Sequence, residues 1–262
     1  MATTITYNSY NLQTSADATK TRLTRDILFR HLPSKNISLK QDSINDGFSI
    51  TDVTYSQKII TVRGLLISDS VANLRTLRDE FMSGLEPNEK NLDIGYGSGT
   101  LRYVASVQAI DCPEEFWNIT QIPFEIVFLA QPFGKTTSST TVDLNSGSNI
   151  TTTPYNESPS ITGTYKCKPT ITITVVSETD LTAIKLENTT NLDWVQVARS
   201  FAAAEVLVIN SENETIQVDG TNVDFTGVFP RLSPSTNVLR VTTTDSGAFA
   251  ITVSFTYYPT YL

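Results

Sequence analysis

The chain has 262 residues, 39% of them hydrophobic and 18% charged, with a formal net charge of −8. That length accommodates one large or two modest domains, each with a buried core, and the apolar share excludes a disordered chain. No run approaches the ~18–20 apolar residues that a membrane-spanning helix needs, so no membrane insertion is expected; the start, Met1 to Tyr7, lacks the basic region and apolar stretch of a secretory signal.

The first forty residues are polar and weakly patterned. Leu23, Ile27, Leu28 and Leu32 suit either a short helix ending before Pro33 or an extended arm. Ile44, Phe48 and Ile50 share one parity, and the phase then slips to Val53 and Tyr55, which predicts a bulge or turn. Tyr55 to Lys58 reads as a turn into a β-branched strand, Lys58 to Ile67, that contains Gly64. Asp69-Ser70 can cap a helix whose Val71, Leu74, Leu77, Phe81 and Leu85 fall on one face. Arg75, Asp79 and Glu80 fall on the other, and Gly84 and Pro87 stop it. A single amphipathic helix among strands is expected to cover one face of a sheet.

Leu92 to Tyr96 is a short strand, and Gly95 to Gly99 turns it into Leu101–Val107. There Leu101, Tyr103 and Val107 oppose Arg102, Ser106 and Gln108. Ile122, Phe124, Ile126 and Phe128 alternate against Gln121 and Glu125. The first domain is expected to end near Pro132, giving a division into residues 1–135 and 136–262. Lys135 to Ser160 is rich in Ser, Thr, Asn and Gly and reads as a linker running into a first strand near Thr141–Leu144. Beyond it, Ile171, Ile173 and Val175 alternate with Thr. Val206–Ile209 and Thr215–Val218 flank a hairpin loop, Leu239 and Val241 follow Pro234, and Phe249, Ile251, Val253, Phe255 and Tyr257 line a last strand. This spacing predicts a β-sandwich.

Residues 1–135 carry 13 Lys+Arg against 15 Asp+Glu, and residues 136–262 carry 6 against 12, or −2 and −6. Neither half gathers its cations into a stripe, so nucleic-acid phosphates and anionic membranes are not expected partners. Cys112 and Cys167 form no metal-type pair, and two free thiols are expected of a protein made in a reducing cytoplasm. Six Asn-x-Ser/Thr triplets follow from the Thr- and Asn-rich composition.

No chemical motif survives comparison with its spacing rules, and no catalytic, cofactor-binding or metal-ligating residue is assigned. His31, the one histidine, cannot by itself supply a triad or a multi-histidine metal site. Gly134-Lys135-Thr136 resembles a phosphate loop, but Leu129 stands where its first Gly is required and no apolar helix follows. Gly95 to Gly99 lacks dinucleotide spacing and leads into a strand. Glu114-Glu115 beside Trp117 read as solvated acids rather than a glycosidase pair. Asp42, Asn45, Asp46 and Gly47 lack the spacing and terminal Glu of an EF-hand. Trp194 with Asp193 and Arg199 suits either a carbohydrate platform or, on general grounds, a core or interface tryptophan.

The block from Asp46-Gly47 through Ile59-Ile60-Thr61-Val62-Arg63-Gly64-Leu65-Leu66 to Leu74-Arg75-Thr76-Leu77-Arg78-Asp79-Glu80-Phe81 resembles the N-terminal belt of the distal tail proteins of long-tailed bacteriophages. Gly227-Val228-Phe229-Pro230-Arg231-Leu232-Ser233-Pro234-Ser235-Thr236-Asn237-Val238-Leu239 resembles that family's C-terminal stretch, with Ser235 where the family usually has Gly. The departure bears on the turn conformation, not on the fold. The resemblance implies a mainly β protein: an N-terminal ring-forming domain with one helix and a C-terminal galectin-like β-sandwich. It also implies a non-enzymatic structural hub of the tail tip or baseplate, closing into a hexameric ring. Its implied partners are the tail tube protein, the tip hub and receptor-binding proteins. Its implied location is the virion, after synthesis in the bacterial host cytoplasm. The alternatives are a host-surface carbohydrate-binding adhesin module using the second domain and, with less support from the residues, a cell-wall hydrolase.

Overall fold

A computed structural model describes residues 4–14, 20–41, 48–85, 89–97, 99–113, 120–245 and 247–262. The chain is mainly β and divides into two units, one of residues 1–135 with Leu262 and one of residues 136–261.

The first unit runs β1 (Ile5–Tyr7), β2 (Tyr10–Asn11), β3 (Lys20–Leu28), β4 (Lys35–Gln41), β5 (Phe48–Tyr55), β6 (Lys58–Ser68), α1 (Val71–Gly84), β7 (Lys90–Tyr96), β8 (Gly99–Asp111), β9 (Gln121–Ala130) and the short β10 (Gly134–Thr136). Its main sheet has the order β2-β1-β7-β8-β9-β6-β3, with antiparallel neighbours. Period-two alternation decides what this sheet buries. Ile60, Val62 and Leu66 of β6 and Ile122, Phe124, Ile126 and Phe128 of β9 all turn inward and are buried.

The helix α1 closes that face. Ser70 Oγ accepts from the Asn73 N–H at 3.3 Å and caps it, while Asn73 Nδ2 donates to Asp69 Oδ1 at 2.8 Å. That bond holds the Asp69 carboxyl below its ordinary range. Leu74, Leu77, Phe81 and Leu85 are buried, and the Phe81 and Phe124 rings lie 4.7 Å apart. Gly64 permits this packing: a Cβ there would come 2.5 Å from the Phe124 ring and collide with the Leu23 carbonyl.

Two expectations for this unit change. Val71 is 41% exposed, because helical side chains lean toward the N-terminus and the first helical residue leans past the packed face. The helix does end at Gly84, its last residue, where a Cβ would press to 2.7 Å from the Tyr10 ring. Pro87 lies outside the described residues. The weakly patterned N-terminal stretch is extended rather than helical, but it is built into the fold: Ile5, Tyr7 and Leu12 are fully buried, and β3 pairs along β6. A three-residue strand is too short to announce itself by periodicity, and an edge strand such as β3 alternates weakly.

The second unit contains β11 (Thr140–Asp143), a 3-10 turn (Leu144–Gly147), β12 (Tyr155–Glu157), β13 (Ser160–Ile161), β14 (Thr170–Ser177), β15 (Ala183–Asn188), β16 (Asp193–Ala198), β17 (Val206–Asn210), β18 (Thr215–Val218), β19 (Thr221–Asn222), β20 (Thr226–Gly227), β21 (Ser235–Thr236), β22 (Leu239–Thr244), β23 (Ala250–Tyr257) and β24 (Thr260–Tyr261). Two sheets, β11-β23-β14-β17-β18-β19 and β12-β22-β15-β16-β20, enclose one core. Ile171, Ile173, Val175, Leu207, Val253 and Phe255 reach it from the first, and Leu186, Val195 and Val241 from the second.

The stretch read as a linker is part of this sandwich. It supplies an edge strand to each sheet, β11 beside β23 and β12 beside β22, and it buries Leu144 and Ile150 completely or nearly so. Its Ser, Thr and Asn content reflects edge strands and turns, which show one face to water, rather than freedom from the fold.

Candidate functional site

The sheets explain nearly every strand of the first unit except β4 and β5, which pair only with each other among the described residues. Their register sets Ile37 opposite Val53 and Leu39 opposite Ile50. All four side chains therefore share one face, and they are 51%, 43%, 55% and 58% exposed respectively. Asn36, Ser38, Lys40, Asp52 and Thr54 take the other face. The phase slip between Ile50 and Val53 is a β-bulge at Thr51, whose hydroxyl donates to the Ser38 carbonyl at 3.1 Å. The bulge is what keeps Ile50 and Val53 on the same side. At the base, Tyr55 packs edge-on against Phe133 at 5.4 Å, and Lys35 Nζ lies 5.7 Å from the Tyr55 ring centre.

An isolated two-stranded hairpin is marginal in water. This one carries four aliphatic side chains outward, each worth about 1.5–3 kcal/mol if a partner buries it fully. The edge strand β3 is also open: Leu23 and Leu28 are 39% and 47% exposed, and one side of the strand beyond its bridge to Thr14 has no described strand beside it. On the outer side of β6, Ile59 is 47% exposed, and Arg63 makes two bonds to Glu125, at 2.9 and 3.2 Å, that hold the Glu125 carboxyl below its ordinary range.

In the second unit the Phe229–Asn237 stretch is a structural knot. Asp193 receives Arg231 through Nε and Nη2 at 3.0 and 3.1 Å. Fully buried Asn237 accepts from Asn188 Nδ2 at 3.0 Å and the Ser233 N–H at 2.9 Å, and donates to the Ser233 carbonyl at 2.7 Å. Ser235 has φ +80, so the turn keeps the left-handed conformation that glycine would favour.

The residues singled out for chemistry do not converge. His31 is exposed. Gly134 starts a strand and gives room to the Tyr103 ring, 2.6 Å from where its Cβ would stand. Gly95–Gly99 spans the β7–β8 hairpin. Glu114, Glu115, Trp117, Asp42, Asn45, Asp46 and Gly47 lie outside the described residues. Neither Cys112 nor Cys167 is in a disulfide, and burial pushes the Cys112 thiol up to about 11. The proposed Trp194, Asp193 and Arg199 platform does not form: Asp193 turns inward to Arg231, Arg199 pairs with Glu205 at 2.8 Å, and Trp194 stands on the outer face with Lys185 Nζ 4.8 Å from its ring centre. Lys58 is a buried cation that the pattern did not flag; its Nζ sits 5.3 Å from the Tyr103 ring centre, and burial pushes its pKa down.

Residues 162–261 match the family model of the siphovirus-type tail component, C-terminal domain. Over that stretch, the last part of the second unit, the chain is similar to that tail component domain. The crystal structure of the Dit protein of phage SPP1, titled a paradigm of hub adsorption apparatus in phages infecting Gram-positive hosts, covers 100% of both chains with a TM-score of 0.69 at 15% identity. At that identity the likeness is one of fold. A chain of the phage P2 baseplate, in its activated conformation with calcium, covers 98% of each chain at 8% identity with a TM-score of 0.42. No curated protein matches the sequence.

Proposed function

We propose that this chain is a distal tail protein, the structural hub of a phage tail tip, with its first unit closing into a hexameric ring and no catalytic role. The observation that carries the ring is the hairpin β4–β5: an amphipathic element whose apolar face, Ile37, Leu39, Ile50 and Val53, stays about half exposed. A second copy of the first unit is the occupant that repeats this face around a closed ring and leaves no edge unpaired. In the virion the ring joins the tail tube to the tip and receptor-binding proteins, and the second unit, a galectin-like sandwich, offers its outer surfaces for docking. The full-length likeness to the SPP1 hub protein supports this reading.

Light scattering coupled to size exclusion, across protein concentrations, tests it together with electron microscopy of the same samples. The expected result is a ring or a reversible monomer–hexamer mixture that Leu39→Ser with Ile50→Ser shifts to monomer. A strict monomer at high concentration with no rings on grids overturns it.

A further inference from the structure

The two sheets of the second unit bury similar residues but present different outer faces. On the six-stranded sheet, one register row reads Thr141, Thr256, Thr170, Asn210 and Thr215, and the next reads Asp143, Ser254, Thr172, Val208, Gln217 and Asn222. These are small, mostly uncharged side chains that suit any solvated strand. On the five-stranded sheet, one row reads Asn156, Arg240, Glu187 and Trp194 across β12, β22, β15 and β16. The row beside it holds Thr242, Lys185 and Gln196. Four strands at ~4.8 Å spacing make the first row about 14 Å long.

The first row is held in shape. Arg240 Nε donates to Asn156 Oδ1 at 2.9 Å, and its Nη1 stands 3.8 Å from Glu187 Oε2. Lys185 Nζ is 3.6 Å from the same carboxylate oxygen and 4.8 Å from the Trp194 ring centre. At the far side of Trp194, Gly227 lets β20 close against the indole edge: a Cβ there would collide with the Trp194 carbonyl and come 2.9 Å from Cε3. Arg240 and Lys185 keep 43% and 32% of their side-chain surface exposed. Trp194 is half-buried on this outer face. Beside it stand a fixed donor fork, an acceptor carboxylate and an amide that does both.

From this we infer that the outer face of β12-β22-β15-β16 is a saccharide-binding site. A pyranose ring presents an apolar C–H face and a rim of hydroxyls. The indole takes the face, while Arg240, Glu187 and Asn156 donate to and accept from the rim. Lys185 occupies the stacking position in the unliganded chain, and it can retire to Glu187, with which it already pairs. The site does not depend on ring formation.

The test uses the full-length protein on a glycan array holding neutral and anionic bacterial cell-wall oligosaccharides, followed by calorimetric titration of each hit. The expected result is binding to pyranose-containing glycans that weakens about ten-fold or more in Trp194→Ala and in the isosteric Glu187→Gln, with Trp194→Phe intermediate. Circular dichroism of each variant separates lost binding from lost folding, and Glu187→Gln keeps the test valid if Trp194→Ala fails to fold. An array without hits at high protein concentration overturns the inference, as do hits that survive both Trp194→Ala and Glu187→Gln. Either outcome leaves the ring measurement unaffected.

Discussion

The two units solve the same problem, how to hide apolar β-surface, in opposite ways. The second unit sets sheet against sheet, and its inward side chains close on one another. The first unit covers one face of its sheet with α1 but carries four aliphatic side chains outward on β4–β5. On the proposed reading, the difference separates apolar surface used in folding from apolar surface kept for assembly. An amphipathic pattern alone does not distinguish the two, because α1 and the hairpin are both amphipathic.

Cutting the chain gives the largest expected effect. A fragment of residues 136–262 is expected to fold alone as a β-sandwich and to form no ring, while one starting at Ser160 is expected to be unfolded, since it loses β11, β12, Leu144 and Ile150. Circular dichroism and thermal melts of both fragments check this, and an unfolded longer fragment would show that the units share their stability. Next, Leu77→Ala removes a covered side chain from α1 and is expected to cost about 2–5 kcal/mol in denaturant melts, against almost nothing for exposed Arg75→Ala. Equal effects would mean that the helix does not hide that face.

Asn237→Ala strips the buried partner from Asn188 and Ser233 and is expected to cost about 1–3 kcal/mol, seen in melts of the full chain. Ser235→Gly works in the opposite sense. It relieves a left-handed serine at some cost in unfolded-chain entropy, and a gain of about 0.5–1 kcal/mol is expected. No gain would show that the serine is comfortable at φ +80. The smallest stability change is expected at the open face: Leu39→Ser with Ile50→Ser should shift monomer stability by about 0.5 kcal/mol or less, as for surface positions generally, while weakening assembly. A large loss of monomer stability would move the hairpin into the folding core and erase the contrast between the units.

Where a strand or helix is long and has one wet and one dry face, the sequence by itself determined it. The alternation of Ile122 to Phe128, the three-and-four spacing of Leu74 to Phe81 and the cap at Ser70 could be read directly, because period and burial coincide there. The slip between Ile50 and Val53 also showed that a bulge was due, though not that it would gather both residues onto one face with Ile37 and Leu39. What only the tertiary structure decided depends on residues far apart in the chain. Ile5 and Tyr7 are core because β7 lies beside them, and Leu144 and Ile150 are core because two sheets close over a stretch whose composition resembles a linker. Trp194 leaves Asp193 and Arg199 for Glu187, Arg240 and Asn156 because neighbouring residues in a strand face opposite ways, while residues in register across strands face the same way. Register is a long-range property, and nothing in the local pattern specifies it.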